Sequence, residues 1–370
     1  MNYPTLNAES GLEAVVGHLS FCLLEGQSEQ KRIFPTLHNV EEYGGGVGNE
    51  MRVAFIGAGK MASGLMDCID EIDGHSIVAV CDVNEEAARS AASPRDADVY
   101  TDHETLFEAA DFEVVFIAIP PFAYSDQIDL AAEHGVHCFV EKPVGLHIED
   151  AHEWKAALDT ADVITSSGYV FRYDAITERA RELIGDRPIA LLDASYWSGL
   201  LASEWGNKMS TSGGDINIRA THVYDLLRYF GGDVEQVFAV GSENVGTPEI
   251  DYFDAVAATV EHENGVVSSV SSAVVAPQWT VTLDITGEDF ELHLDYAAQR
   301  LTGEVDGNNI EFDGECDRYR KEVETFLHAC MTDDQSIVRS SFADATRTLE
   351  LNWATIEATE SETVIEPGTK

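Results

Sequence analysis

The chain has 370 residues, which at roughly 100–200 residues per domain suggests two domains, and its 44% hydrophobic and 24% charged residues suit a packed core rather than wholesale disorder. Its formal net charge of −45 excludes a general role in binding nucleic acid or an anionic membrane surface, because both partners need a basic protein surface. An excess of one sign of charge destabilises a compact state at low ionic strength, and salt screens that repulsion. The charge therefore predicts a protein adapted to a salt-saturated cytoplasm, as in halophilic archaea.

The cysteine pattern and the apolar runs indicate a protein of a reducing compartment. The six cysteines form no Cys-x-x-Cys pair, so reduced and mostly buried thiols are expected. No stretch reaches the roughly 18 apolar residues of a membrane span, and the chain does not begin with the basic residues of a signal peptide. His134, His137 and Cys138 superficially suggest a metal site, but they bridge a helix end and a strand, so no metal is expected. We predict a cytoplasmic protein with no membrane partner.

Residues 1–50 differ from the rest of the chain and end in a glycine-rich stretch at 44–48. Such stretches are flexible, and a regular strand pattern begins directly afterwards at Met51. Two interpretations compete: the segment is a weakly ordered N-terminal extension, or Met51 is the true start of the protein. We favour the second.

From Met51 onward, short apolar runs alternate with helical patterns. The runs expected to be strands are residues 52–56, 77–81, 114–119 and 137–140. The helical patterns that follow them end at residue 72, span 85–92, end at residue 134 and lie around 151–158. Buried strands separated by helices are typical of a parallel sheet covered on both faces. The pattern predicts a doubly wound α/β domain over residues 51–170.

After Phe171 the pattern becomes that of an antiparallel sheet. Residues 279–286 and 290–296 alternate apolar with polar side chains on either side of a turn, which predicts a hairpin with one solvated face. Residues 256–260 and 266–270 make a second candidate hairpin. Apolar residues recur at helical spacing from Tyr319 to Cys330, so a helix is expected near the end of the chain. Residues 171–370 are therefore predicted to form a second α/β domain.

A glycine motif directly follows the first predicted strand. It fits Gly-x-Gly-x-x-Gly/Ala with the residues Gly57, Ala58, Gly59, Lys60, Met61 and Ala62. In this motif the first glycine allows a tight turn, the second lets the backbone approach a pyrophosphate, and the helix N-terminus faces the phosphates. Asp82 ends the second predicted strand, where an acidic side chain binds the ribose hydroxyls and repels a 2′-phosphate. We therefore expect a bound dinucleotide, with NAD preferred over NADP.

Two further motifs end predicted strands at the carboxyl edge, where open α/β sheets bind ligands. Ile119-Pro120-Pro121 forms a stiff loop expected to border the nicotinamide side, and Glu141-Lys142-Pro143 follows the strand at 137–140. Ser212-Gly213-Gly214 and Thr221-His222-Val223-Tyr224-Asp225 come later in the chain. With these motifs in this order and spacing, the sequence resembles the glucose–fructose oxidoreductase/inositol dehydrogenase (Gfo/Idh/MocA) family over about residues 51–360.

The resemblance implies an N-terminal Rossmann domain followed by an α/β domain with an open, largely antiparallel sheet. It also implies NAD(P)-dependent oxidation or reduction of a hydroxyl group on a sugar, a polyol or a related compound. It places Ile119, Pro120 and Glu141 beside the cofactor and Lys142 near both the nicotinamide and the reacting hydroxyl. The exposed sheet face often mediates oligomerisation in this family, so a homo-oligomer, a dimer or a tetramer, is expected.

The residue chemistry agrees with the catalytic roles that the resemblance assigns. His222, which the family places on a helix facing the cleft, has a side chain suited to remove a hydroxyl proton near neutral pH. The Lys142 ammonium suits stabilisation of a developing alkoxide. Arg172 matches the arginine that follows the crossover between the two domains of the family.

One position departs from the family pattern. Many members carry an aspartate four residues before the histidine, where this chain has Ile218. Asp225 or Asp215 could lie on the same helix face as His222, though neither is an assured substitute. Arg219 also faces that way; it binds an anionic substrate, such as a sugar acid or a phosphate, or else forms an ion pair with one of these aspartates.

Three functions remain open at this point. The first is an NAD-dependent oxidoreductase acting on a sugar-like hydroxyl, with Trp205 as a candidate for stacking on the sugar ring. The second keeps the fold but uses a tightly held NAD for transient oxidation during an elimination or an epimerisation. The third is a dinucleotide- or sugar-sensing protein without chemistry, which the isoleucine at position 218 keeps open.

Overall fold

The computed structural model describes residues 50–368, so the predicted N-terminal segment at 1–50 lies, apart from Glu50, outside the described residues. The chain then builds a six-stranded parallel sheet. Its strands are β1 (Met51–Ile56), β2 (His75–Cys81), β3 (Asp98–Tyr100), β4 (Val114–Ile117), β5 (His137–Val140) and β6 (Thr165–Ser167). Its helices are α1 (Lys60–Asp70), α2 (Glu85–Ala92), α3 (His103–Ala109), α4 (Gln127–Glu133) and α5 (Ile148–Ala161).

The strand order is β3-β2-β1-β4-β5-β6, with every neighbouring pair parallel. This order reverses direction between β1 and β4, which is the point where doubly wound sheets bind ligands. Phe55, Phe116 and Phe139 stack across β1, β4 and β5 with ring centroids 5.0 and 4.8 Å apart. The predicted Rossmann sheet is confirmed, and this aromatic row packs its three central strands together.

A second sheet of eight strands follows. Its strands are β7 (Ile189–Trp197), β8 (Val234–Ser242), β9 (Ala255–His262), β10 (Val267–Ala273), β11 (Thr280–Gly287), β12 (Phe290–Asp295), β13 (Arg300–Val305) and β14 (Asn308–Asp313). The order is β14-β13-β12-β11-β7-β10-β9-β8, in which the β7–β10 pair is parallel and the other pairs are antiparallel. Both predicted hairpins are present, β9–β10 and β11–β12, and the sheet is mostly antiparallel as expected.

Helices cover one face of this second sheet. The helix α6 (Ala175–Ile184) precedes β7, and the helices α7 (Met209–Ser212) and α8 (Thr221–Gly231) lie between β7 and β8, with a five-residue π-helix at Ile216–Ala220 directly before α8. Apolar side chains of α6 and α8 share one core with the sheet. The other face presents large apolar side chains that are 39–51% exposed, namely Leu191, Trp197, Phe238, Val240 and Val267. A homo-oligomer built on this face remains a prediction.

The last two helices join the two sheets. Although α9 (Arg318–Thr332) comes after the second sheet in the chain, it packs on the first, where the Phe326 ring meets the Phe116 ring edge-on at 5.6 Å. The helix α10 (Phe342–Ser361) packs Leu349 in a hydrophobic core of the first sheet and Leu351 in the core of the second sheet. Between residues 50 and 368, no helix is long and apolar enough to cross a membrane.

Candidate active site

The turn between β1 and α1 has the geometry of a nucleotide-binding loop. Gly57 has φ of +104°, and a Cβ there would lie 2.4 Å from the Ala118 carbonyl oxygen, so only glycine fits. Gly59 begins α1 without a side-chain cap, and a Cβ at Gly59 would meet nothing within 4 Å. The N-terminus of α1 therefore opens onto free space, as a bound pyrophosphate requires.

Asp82 is fixed beside this turn. Its Oδ2 accepts a hydrogen bond from the Ala58 N–H at 2.8 Å, and its Oδ1 accepts one from the Asn84 N–H at 2.8 Å. The Ile119 side chain comes within 3.1 Å of the position of a Cβ at Gly57. The predicted dinucleotide residues of β1, β2 and β4 thus meet at one edge of the sheet, and together they fit an adenine dinucleotide.

The other predicted cofactor residues on these loops are more exposed. Lys60 is exposed and Met61 is 39% exposed on the first turn of α1, while Pro120 is half-buried at the start of the loop after β4. Nothing in their own contacts fixes a role for them, so their part in cofactor binding remains a prediction.

The segment after β5 carries a buried acid next to a lysine. The Glu141 carboxylate packs against Gly168, where a Cβ would come within 2.7 Å of Glu141 Oε2, and that oxygen accepts the Lys142 N–H at 3.1 Å. Burial raises the pKa of Glu141 to about 7, while the positive charge of Lys142 acts in the opposite direction. The Lys142 Nζ donates a hydrogen bond to the Ile218 carbonyl oxygen at 2.9 Å.

His222 lies in the first turn of α8, one helical turn after the carbonyl that binds Lys142. Its ring lies 4.8 Å from the Phe171 ring, and its buried Nδ1 has no hydrogen-bond partner within the described residues. Burial, with the positive charges of Lys142 and Arg318 adding to it, holds the pKa of His222 well below its ordinary value of 6.5. The structure therefore brings Lys142 and His222 together and keeps the imidazole neutral.

Ile218 lies in the π-helix and contributes its backbone to the site. Its side chain is buried, whereas its carbonyl oxygen receives the Lys142 ammonium. π-Helical turns are rare and occur often at functional sites. The position that carries a carboxylate in many family members thus serves here as a main-chain acceptor for the lysine.

Arg172 and Asp225 are paired with each other rather than with His222. Arg172 Nε donates to Asp225 Oδ2 at 2.7 Å and Nη2 donates to Asp225 Oδ1 at 2.6 Å. Asp344 Oδ2 lies 2.6 Å from the same Nη2, and Thr348 Oγ1 donates to Asp225 at 3.0 Å. Both members of the pair are almost fully buried, at 3% and 1% exposure. Their expected contact with the substrate therefore finds no support in this geometry, because the pair consumes their polar atoms.

Arg219 forms the helical ion pair that was one of its two expected roles. Its Nε donates to Asp215 Oδ1 at 2.7 Å, and its Nη1 donates to the Gly199 carbonyl oxygen. Its charge still acts on Lys142, whose pKa is lowered mainly by burial and further by Arg219. Arg219 is therefore held at the side of the site by its own counter-ion.

Trp205 reaches from the second sheet's side of the cleft to the nucleotide side. Its ring lies 6.0 Å from the Phe122 ring, which follows β4, and Phe122 is 47% exposed. The contact brings the candidate sugar-stacking residue next to the loop of Ile119 and Pro120.

Sequence reasoning missed Glu322, a fully buried acid on α9. The signal was present, because Glu322 lies three residues after Tyr319 and four before Phe326, on the apolar stripe of the predicted helix. A carboxylate in such a stripe is unusual unless it is paired or protonated.

Comparisons with known proteins match both domains of the chain. Residues 51–169 match the family model described as "Oxidoreductase family, NAD-binding Rossmann fold". Residues 184–293 match the model of the GFO/IDH/MocA C-terminal domain. In overall structure the chain resembles a levoglucosan dehydrogenase in complex with NADH and L-sorbose, with a TM-score of 0.79 and 20% identity over 87% of this chain and 100% of that one.

Two curated relatives illustrate the range of similarity. A 2,7-anhydro-N-acetylneuraminate hydratase of Mediterraneibacter gnavus is 31% identical over 195 residues, which is 51% of this chain and 51% of the relative's length. A D-xylose 1-dehydrogenase (NADP(+)) of Haloferax volcanii is 22% identical over 81% of this chain and 96% of its own. The first match thus spans only about half of that relative. Together, the two matched domains show that the chain belongs to the Gfo/Idh/MocA family of NAD(P)-dependent oxidoreductases.

Proposed function

We propose that the chain is an NAD-dependent dehydrogenase that acts on a hydroxyl-bearing carbon of a sugar, a polyol or a related compound. The observation that carries this proposal is the meeting of Lys142 with the helix segment of His222. Lys142 lies two residues after β5 of the nucleotide-binding sheet, yet its ammonium binds the Ile218 carbonyl one turn before His222. This contact supports a shared role for a cation and an acid–base group that come from different parts of the chain.

The residues that would hold the dinucleotide are the turn at Gly57–Gly59 with α1, the Asp82 carboxylate and the loop of Ile119 and Pro120. The chemistry that such a cofactor supplies when bound is reversible hydride transfer at the substrate carbon.

His222 is suited to take the proton of the substrate hydroxyl. Its ring is neutral in the free enzyme because burial and two neighbouring cations disfavour the imidazolium. A neutral imidazole has one unprotonated ring nitrogen that can accept a proton, and the buried Nδ1 has no hydrogen-bond partner among the described residues. Since no carboxylate of the described residues is hydrogen-bonded to its ring, His222 is a weaker base than a histidine in a His–Asp dyad.

Lys142 compensates for that weakness. Its ammonium is held by a single carbonyl and keeps donors free for a ligand oxygen, where it would stabilise the negative charge that develops on the hydroxyl as the proton leaves. Because Lys142 is partly buried, this electrostatic effect is larger than that of a fully exposed lysine.

The preference for NAD rests on Asp82. Its carboxylate is already oriented by two backbone N–H groups at the end of β2, where it would accept hydrogen bonds from ribose hydroxyls. The same negative charge would repel a 2′-phosphate.

The test is a screen of purified protein, in molar KCl, against sugars, polyols and sugar acids with NAD and with NADP, read as absorbance of the reduced cofactor. We expect turnover with NAD, and a loss of at least about 100-fold in kcat for Lys142→Met and for His222→Gln. Lys155→Met, on a surface lysine paired with Asp159, is the matched control and should retain activity. Wild-type turnover that survives in both site variants would refute the mechanism.

A second candidate keeps the same site but returns the cofactor to its starting state during a hydration, an elimination or an epimerisation. The 31% identity to a hydratase supports it. NAD that stays with the protein through gel filtration, with substrate consumed and no net reduced cofactor formed, would favour this reaction over simple dehydrogenation.

A further inference from the structure

Glu322 is a carboxyl group with no role in the proposed mechanism and no hydrogen-bond partner between residues 50 and 368. It is 0% exposed, and both of its carboxyl oxygens lack a hydrogen-bond partner within the described residues. An ionised carboxylate in that position would lose its hydration without any compensating donor among the described residues, which disfavours the charged form. The observation therefore concerns the charge state of this side chain.

The charges around Glu322 come from four elements. Glu141 and Lys142, after β5, and Asp225, on α8, all act on Glu322, and so does Arg172, in the turn before α6. On α9 itself Arg318 is engaged by Asp174 at 2.7 Å, and Tyr319, like Tyr173, is uncharged because burial raises its pKa. Of the remaining basic groups nearby, Arg339 pairs with Glu178, while Arg219 pairs with Asp215.

Cancelling the paired groups leaves three charges unassigned. Arg172 is matched by Asp225 through two hydrogen bonds, so it is not free to neutralise Glu322. What remains, in the part of the chain that the structure describes, is one cation, Lys142, and two carboxyl groups, Glu141 and Glu322. A buried site tolerates a balanced set of charges far better than an excess, so only one of the two acids can be ionised.

The hydrogen bonds decide which acid is ionised. Glu141 accepts the Lys142 N–H at 3.1 Å, which favours its charged form, whereas Glu322 accepts nothing. We propose that Glu322 is an uncharged carboxylic acid in the working enzyme, and that Glu141 alone carries the negative charge that keeps Lys142 an ammonium ion. Glu322 is then a positioning residue, which acts through Lys142 and touches no substrate.

This assignment makes the two acids interchangeable as counter-ions. If Glu141 becomes neutral, Glu322 is the only acid left to balance Lys142 and should ionise in its place. If Lys142 loses its charge, neither acid has a counter-ion and both should be protonated. These charge states belong to the folded protein itself, whereas their consequence for catalysis rests on the proposed function.

Infrared difference spectroscopy of the full chain in molar KCl tests the charge states directly, through the carbonyl stretch of protonated carboxylic acids. At pH 8, the difference spectrum of wild type minus Glu322→Gln should show the carbonyl band of one protonated carboxyl group. Glu141→Gln should lose the same band although Glu322 is still present, and Lys142→Met should gain a second one. Glu324→Gln, two residues along α9 and paired with Arg320, is the matched control and should leave the band unchanged. A wild-type spectrum without the band, or a band that survives in Glu141→Gln, would overturn the proposal.

The pH dependence of kcat/KM gives the catalytic readout. Each single variant keeps one counter-ion, so its basic limb, which reports loss of the Lys142 proton, should stay near that of wild type. The double variant Glu141→Gln/Glu322→Gln keeps neither counter-ion of Lys142. Its basic limb should therefore move to lower pH by at least about one pH unit, which is a tenfold change in the proton affinity of Lys142. If the double variant does not move beyond the singles, the two acids do not act through Lys142. The infrared result stands apart from activity, so failure of the dehydrogenase assignment would not be mistaken for failure of this one.

Discussion

Replacing Asp225 by asparagine should destabilise the fold while leaving substrate affinity unchanged. In the folded protein Asp225 accepts hydrogen bonds from Arg172 at 2.7 and 2.6 Å and from Thr348 at 3.0 Å. Removing one partner of a buried ion pair costs about 3–5 kcal/mol, because the other charge stays buried without compensation. Arg172 keeps Asp344 as a second partner at 2.6 Å, so we expect a loss near the lower end, about 3 kcal/mol.

Urea unfolding in molar KCl measures this loss without changing the ionic strength. Asp159→Asn breaks a surface pair with Lys155 and should cost less than about 1 kcal/mol, which makes it the control. The double variant Arg172→Met/Asp225→Leu should be less destabilised than the sum of its single variants, because no unpaired charge remains. An Asp225→Asn protein of unchanged stability but raised KM would refute this reasoning and return Asp225 to the substrate site.

Three other predictions concern the cofactor, the acid limb and salt. Gly57→Ala should abolish dinucleotide binding in calorimetry, since its Cβ would lie 2.4 Å from the Ala118 carbonyl; unchanged affinity would contradict the assigned turn. The acid limb of kcat/KM should lie well below pH 6.5, because the free enzyme binds the His222 proton more weakly than an unfolded chain does; a limb at or above pH 6.5 would exclude His222 as the base. With a net charge of −45, the protein should lose its cooperative thermal transition on dialysis into dilute buffer, and a midpoint equal to that in molar KCl would exclude adaptation to salt.

Four strands of the first sheet, β1, β2, β4 and β5, could be predicted because they read as uninterrupted apolar runs, whereas β3 and β6 are three residues long and were not predicted. β1 and β5 lie where the pattern placed them, while β4 ends at Ile117, two residues before the predicted end. The second sheet was only partly visible. β7, at the centre of that sheet, exposes Leu191 and Trp197 on its open face, which hides the alternation by which half-buried strands are recognised.

The candidate site also has a part that could be predicted from the sequence and a part that could not. The glycine turn, Asp82 and Lys142 follow from motifs because their chemistry depends on residue type and on position at a strand end. The partners of Arg172 and Lys142 do not follow from motifs. Arg172 contacts Asp225 across a sequence separation of 53 positions, and Lys142 contacts Ile218 across a separation of 76 positions. No local pattern encodes such contacts, and a π-helix that offers the Ile218 carbonyl to a lysine has no recognisable signature in one sequence.

The return of α9 to the first sheet limits how the protein can be dissected. A fragment cut after the sixth parallel strand would lack Phe326, whose ring covers Phe116 at 5.6 Å, and the other apolar residues of α9 that complete the same core. It would also lack Glu322 and so would present Lys142 with a different set of charges. A truncated nucleotide-binding piece should therefore aggregate or stay partly folded, and its cofactor affinity would not report that of the intact polypeptide.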